Sequence, residues 1–245
     1  MDISELALRA EVAWLRGLAA AGFAQVRAGD GFAVATGLDS NSDNGAVGSP
    51  GELDVLLDWL RERSVPASVL VTGPPDPDVT ARLIDRGLVP ERTGTNMGRR
   101  LSRTEEPPSG QWQISEANDL DELRRNQRVY AEDGWWDEAG ELDRRVQIAA
   151  RLGRHWTAHH QGAAVGAATS FHFDDAVLLV QCCVAAGWRR RGIGTALTRV
   201  RLAAAAAQGA VQAVVFPTQD GYHLHRSLGF EVAPVHPDRC FYLTA

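Results

Sequence analysis

Lysine is absent from the chain: all 25 basic residues are arginine, so a GxxxxGK[ST] nucleotide loop is excluded. Cysteine is scarce, with Cys182, Cys183 and Cys240 the full set. Two of them are adjacent and the count is odd, which argues against a disulfide framework. No CxxC pair offers zinc-ligand spacing, so no metal is expected and the thiols read as reduced and structural. Nothing approaches the run of about 18 apolar residues that a membrane span needs. The opening MDISELALRAEVAWLRGL is acidic and amphipathic, without a basic region before an apolar one, so a signal peptide is not expected and the expected compartment is the cytoplasm. A net charge of −6 speaks against a protein built to grip nucleic acid non-specifically. Neither nucleic acid nor membrane is an expected partner, although a local arginine cluster can still hold a small anion.

What remains is a chain of 245 residues, enough for one large domain or two small ones. The clearest break is SRTEEPPSGQ at 102–111, polar and carrying two prolines and a glycine. It predicts a first region over 1–101, a linker, and a second region over 112–245. The first region reads as a helix over 3–20, strands at 24–27 and 31–36, and turn chemistry through LDSNSDNGAVGSPG, with Asn44-Gly45 a hairpin signal. Ser49-Pro50 then caps and opens a helix to about Arg63, followed by a strand at 67–72 and a helix over 76–86 closed by Gly87.

The second region predicts a strand at 112–115, a helix capped by Asn118 or Asp119, and a further helix after GWWDEAG. Strands over 155–160, 163–173 and 177–184 follow. A helix over 194–208, a strand at 211–216, a helix over 220–228 and a final strand at 240–243 complete it. The segments ARLIDRGLVPER and HLHRSLGFEVAP both place a short helix before a glycine and a large apolar residue, Gly87-Leu88 and Gly229-Phe230. That repetition raises the expectation of two halves with one architecture.

The informative segment is QCCVAAGWRRRGIGTALTRVRL at 181–202. An apolar strand ends at Val184, a short loop follows, and Arg189-Arg190-Arg191-Gly192-Ile193-Gly194 opens a long helix. Glycines let backbone N–H groups approach a ligand, and the helix N-terminus adds about half a positive charge. Three arginines reinforce that field, and a diphosphate is the natural guest. A dinucleotide GxGxxG fingerprint fails, because Leu197 stands where its last glycine belongs.

The arrangement Arg189-x-x-Gly192-x-Gly194 resembles the acetyl-CoA pyrophosphate signature of the GNAT superfamily, and FPTQDGYHLHRSLGF matches that family's closing pattern at Leu224, Leu228, Gly229 and Phe230. The resemblance spans about residues 112–245. It implies an α/β fold of tandem GNAT-like mixed sheets flanked by helices, with the N-terminal lobe degenerate. It also implies acetyl-CoA as co-substrate, with the backbone at Cys182, Cys183 and Val184 along the pantetheine arm. Amides of Arg189, Arg190, Arg191, Gly192, Ile193, Gly194 and Thr195 would hold the pyrophosphate, and Thr218 stands where the family places an asparagine. The implied reaction is acetylation of a primary amine, the amine of a small molecule, by direct transfer in a ternary complex. Transfer of a longer acyl group and a non-catalytic acyl-CoA-binding or regulatory role stay open, as does the oligomeric state.

The family's tyrosine, its usual general acid, falls on His225; Tyr222 lies three residues earlier on the same helical face. The strand before the loop lacks the family's glutamate, leaving His172, Glu132, Asp133 or ordered water as general-base candidates. Trp135 and Trp136, beside Asp133, are candidates for holding a cationic amine. His155 and His159 alternate onto one strand face and His160 onto the other, a poor metal geometry. The first region has no comparable cradle and is expected to be a scaffold whose DSNSDNG loop completes the acceptor pocket.

Overall fold

In the computed structural model, residues 1–74, 76–91, 94–107, 112–235 and 238–244 are described, without the side chains of Glu138 and Pro234. The elements are α1 (Ile3–Ala20), β1 (Ala24–Ala28), β2 (Gly31–Ala35), β3 (Asn44–Gly48), α2 (Leu53–Arg61), β4 (Ala67–Val71), α3 (Pro77–Asp85), β5 (Val89–Pro90) and β6 (Thr95–Arg100). They continue as β7 (Gln113–Glu116), α4 (Leu120–Glu132), α5 (Glu138–Ala149), β8 (Arg154–His160), β9 (Ala163–Phe173) and β10 (Ala176–Val184). The chain closes with α6 (Ile193–Ala207), β11 (Gln212–Val215), α7 (Gln219–Ser227), β12 (Glu231–Pro234) and β13 (Cys240–Leu243).

Two mixed sheets result. One has the order β1-β2-β3-β4-β13-β5, the other β12-β6-β11-β10-β9-β8-β7. The same pattern runs through both. An antiparallel run ends in one parallel pair, β3 with β4 and β10 with β11. An antiparallel strand follows, β13 on β4 and β6 on β11. The repeated helix-Gly-hydrophobe endings thus mark equivalent places in two sheets of one strand order.

The boundary expected at 102–111 falls differently in space. The compact units are Met1–Ala10 with Asn96–Ala233, and Glu11–Thr95 with Pro234–Ala245. Each sheet is completed by a strand from beyond the expected linker, because β6 and β13 exchange. Residues 108–111 of that linker lie outside the described set. Two short strands, β5 and β12, and the longer β6 were not legible as strands in the sequence.

In the sheet built on β1–β4, α2 buries Leu53, Leu56, Leu57 and Leu60 against Val69, Val71 and Phe241. Each leucine contributes roughly 1.5–3 kcal/mol of transfer free energy, far more than the tenths that helix propensity supplies per residue. Asn44-Gly45 is not a hairpin turn: it opens the buried strand β3. The fully buried Asn44 amide explains this, since Nδ2 donates to Leu38 O, Ser40 O and Pro66 O and Oδ1 accepts from Thr36 N. The DSNSDNG loop is therefore folded onto its own strand.

Ser49 does not begin the helix alone. The Glu52 carboxylate accepts from Ser49 N and Oγ, both at 2.7 Å, and from Asp30 N and Gly31 N at 2.8 and 3.2 Å. One acidic side chain ties the β1–β2 turn to the start of α2. In the second sheet α6 covers one face through Ile193 and Leu197 on Trp156, Ala158, Val165 and Ala168. The other face takes α4, with Val129 and Tyr130 on Ala167 and Cys183.

Two outcomes follow from these contacts. A fragment 112–245 lacks β6, so β11 becomes an open edge and β12 loses its neighbour. It is expected to aggregate or self-associate on size exclusion, whereas fragment 94–235 is expected to be more soluble. A monomeric, soluble 112–245 fragment would contradict the strand exchange. Separately, its hydrogen bonds with Ser49, Asp30 and Gly31 hold Glu52 down to about 2. A depressed carboxylate stabilises fully above its unfolded value and loses that contribution as pH falls from 4.5 towards 2. Glu52→Gln is expected to melt below wild type at pH 7, with the gap closing towards pH 2 in thermal melts.

Candidate active site

The site begins with a parting of strands. β10 pairs with β11 only from Ala176 to Leu179, while its pairing with β9 continues to Val184. A bulge between Leu179 and Gln181 redirects β10 there. On the other side, β11 ends at Val215, just before Phe216-Pro217, and proline has no N–H to continue a ladder. Ala185 N donates to Val165 O at 3.1 Å, which fixes the phase of the β9–β10 ladder. Cys183 and Ala185 turn their main-chain groups towards β9. Cys182 and Val184 turn theirs to the edge that β11 has left. An open strand edge of this kind can pair with an extended amide-bearing chain.

The bulge is held by Arg201, only 1% exposed on α6. Its guanidinium donates to Thr169 O and Gln181 O at 2.9 and 3.0 Å and to Thr198 Oγ1 at 3.2 Å. Burial lowers its pKa, opposed by the nearby Cys182 and Tyr130. The Tyr130 hydroxyl is fully buried, and burial pushes its pKa up, opposed by the nearby Thr169 hydroxyl and Arg201.

Beyond Val184 the chain makes a short turn and enters α6. Gly192 is left-handed at φ 83° and Arg190 at φ 63°. No side chain caps α6, so the amides of Ile193, Gly194 and Thr195 stay available at the positive end of the helix. A Cβ on Gly194 would lie 2.9 Å from Leu224 Cδ1, so a larger residue there would make the Leu224 side chain shift. Arg190 and Arg191 are exposed. Arg191 stacks 4.8 Å over Trp188, and its carbonyl accepts from Trp112 Nε1 at 3.2 Å. Trp188 also meets His160 at 4.5 Å, so an aromatic group braces the loop. Open amides, two exposed arginines and a fixed backbone make a site that fits a diphosphate. Thr218 caps α7, accepting from Gly221 N at 3.2 Å.

Several expected residues are placed otherwise. His172 pairs with Val177, six residues along β9 from the Val184 partner Gly166, about 20 Å away at strand rise. It is not a base for chemistry at Val184. Glu132 is exposed at the end of α4. Trp136 carries Arg145 4.3 Å from its ring and packs 5.1 Å from Tyr130, while Trp135 lies 5.4 Å from the same tyrosine. Asp133 is paired with Arg189. Trp136 and Asp133, expected to hold a cationic amine, thus already hold the chain's own arginines, while Trp135 is exposed. His155 is buried on Thr169 Oγ1 at 3.0 Å, and His159 meets Ser115 Oγ at 3.1 Å.

His225 is 5% exposed on α7, with Nδ1 2.8 Å from Gly221 O and its ring 5.3 Å from Phe230. A carbonyl only accepts, so Nδ1 carries the proton and Nε2, unpartnered, is a lone pair. Burial lowers the pKa to about 4, helped slightly by Arg201. A neutral imidazole of this tautomer does not donate from Nε2 at neutral pH, which removes His225 as the general acid. Tyr222, half-buried one turn earlier beside the cluster of Met97, Leu228 and Phe230, keeps a hydroxyl for that role.

A histidine with a depressed folded pKa stabilises fully above its unfolded value and loses that contribution as pH falls from 6.5 to about 4. His225→Phe is expected to flatten the stability profile across that window in thermal melts. An unchanged slope would mean that the imidazole is not buried neutral.

Comparison with known proteins bears on the fold. A family model described as an acetyltransferase (GNAT) domain matches residues 151–232. A GCN5-related N-acetyltransferase from Kribbella flavida is similar in structure, with a TM-score of 0.64 at 18% identity over 96% of this chain and 93% of its own. One from Sphaerobacter thermophilus has a TM-score of 0.51 at 14% identity, over 86% of this chain and 75% of its own. A search of curated protein sequences returns no match. Residues 151–232 thus match a GNAT acetyltransferase domain, and the chain shares the fold of a GCN5-related N-acetyltransferase along most of its length.

Proposed function

We propose that the chain transfers acetyl from acetyl-CoA to a primary amine of a small molecule, directly, in a ternary complex with one site per chain. The observation that carries this reading is continuity: the open edge at Cys182 and Val184 runs within a few residues into the uncapped N-terminus of α6. An amide-bearing arm and a diphosphate at its end suit those two features in that order.

Acetyl-CoA would supply the acyl group as a thioester, whose C–S bond breaks as the C–N bond to the amine forms. The chain's own groups do the rest. Main-chain groups of Cys182 align the pantetheine arm, and the Val184 N–H faces the developing oxyanion. Amides of Ile193, Gly194 and Thr195, with Arg190 and Arg191, take the diphosphate. Tyr222 gives its proton to the departing sulfur. Glu132 or ordered water takes the proton the amine loses.

A non-catalytic acyl-CoA binder is the second reading, favoured by the neutral His225 at the family's acid position. Release of CoA thiol with a panel of amines separates the two, and an acyl-chain series tests acetyl against longer groups.

Titration calorimetry is expected to show one acetyl-CoA per chain. Arg190→Glu with Arg191→Glu should weaken it at least about tenfold by reversing charge beside the phosphates. Gly194→Glu should abolish it while destabilising the fold by roughly 1–3 kcal/mol through overpacking on Leu224. Two equivalent sites, or affinity indifferent to the arginines, would sink the assignment.

A further inference from the structure

The first arginine of the cradle does not face the ligand. Arg189 Nε donates to Val184 O at 3.0 Å, and its terminal nitrogen pairs with the Asp133 carboxylate. Asp133 is the C-cap of α4, and its side chain is 8% exposed against 50% for Arg189. The same carboxylate oxygen accepts from Cys183 Sγ at 3.3 Å. One side chain thus gathers the end of α4, the splayed strand and the entry to the loop.

We infer that Asp133 is a positioning residue: it keeps the Arg189 guanidinium on the Val184 carbonyl and off the diphosphate, so that the open strand edge is held from its end. Like its setting, this inference rests on reading residues 189–195 as the coenzyme cradle. A guanidinium fits carboxylate and phosphate equally well, so the two compete for Arg189. The contest is decided by burial. A carboxylate as enclosed as Asp133 is costly to leave without its cation, whereas the diphosphate still has the α6 amides, Arg190 and Arg191. Arg189 therefore stays with Asp133 when the cradle fills. It carries Val184, whose N–H and carbonyl belong to one strand end.

The test uses the full chain, with CoA affinity by calorimetry and acetyl transfer to an amine as separate readouts. Asp133→Asn frees Arg189, so CoA is expected to bind about three- to tenfold tighter while kcat falls. Asp133→Glu is expected to restore both towards wild type. Arg189→Gln added to Asp133→Asn is expected to cancel the tightening. A loss of packing alone weakens binding and gives no such opposition between Kd and kcat. Unchanged or weaker CoA binding by a folded Asp133→Asn protein overturns the inference. Should that variant not fold, Arg189→Gln alone decides: an unchanged Kd with reduced kcat supports it, and a Kd raised about tenfold shows Arg189 to be a phosphate ligand and overturns it. Absence of CoA binding by the wild-type protein overturns the functional reading itself, and this inference with it.

Discussion

A buried cation held by main-chain and hydroxyl oxygens sets the shape of the site. Arg201 lies among apolar neighbours, where an isolated charge is expensive, and its hydrogen bonds go to main-chain and hydroxyl oxygens. Two of those oxygens, Thr169 O and Gln181 O, flank the bulge in β10. The guanidinium bridges one carbonyl from each of the two strands beside the bulge. Charge and kink thus compensate one another. Without the kink β10 would continue alongside β11, and the edge at Cys182 and Val184 would be closed. The cleft is in this sense built at the back of the sheet, from a residue that never faces it.

The other sheet shows what the same strand order does without that device. There β3 and β4 pair from Gly45 with Ser68 to Gly48 with Val71, and Thr72 N still donates to Gly48 O beyond them. No edge opens. The turn into α2 is occupied by the Glu52 carboxylate, where the first turn of α6 has bare amides and no acidic residue and follows exposed arginines. A closed ladder and a resident anion make a poor phosphate site for two independent physical reasons. Shared architecture therefore does not carry shared chemistry. The difference lies in one bulge and in the sign of the charge at one helix entrance.

Much of this was legible in the sequence because it is local. The strand-loop-helix at 177–208, with αL glycine at the turn, follows from apolar runs and glycine placement. Arg201 was legible too, had its helical phase been followed: it falls four residues after Leu197 and four before Ala205, on the stripe that turns inward. What could not be read were pairings between distant segments. Asp133 and Trp136 look like an open cation site until the fold brings Arg189 and Arg145 to them. His172 looks adjacent to the site until strand register moves it along the ladder. His225 looks like a proton donor until burial and the Gly221 carbonyl fix its tautomer. Asn44-Gly45 reads as a turn because its local preference is real, yet burial of the Asn44 amide overrides it.

The same non-locality governs how the chain must fold. Cys240 pairs with Leu70, and Met97 with Val215, so neither sheet closes until segments far apart in sequence have met. Such contacts are slow to form, because the intervening chain must be ordered first. Until β6 arrives, β11 is an unpaired hydrophobic edge beside the nascent cleft, with Ala213, Val214 and Val215 all destined for burial. β6 brings Met97 into the cluster of Val215, Leu228 and Phe230, the same cluster against which Tyr222 rests. The segment 95–100 carries no chemistry and no recognisable motif. It nonetheless completes the wall behind α7, so a functional site whose motifs all lie after residue 180 depends for its support on residues before 101.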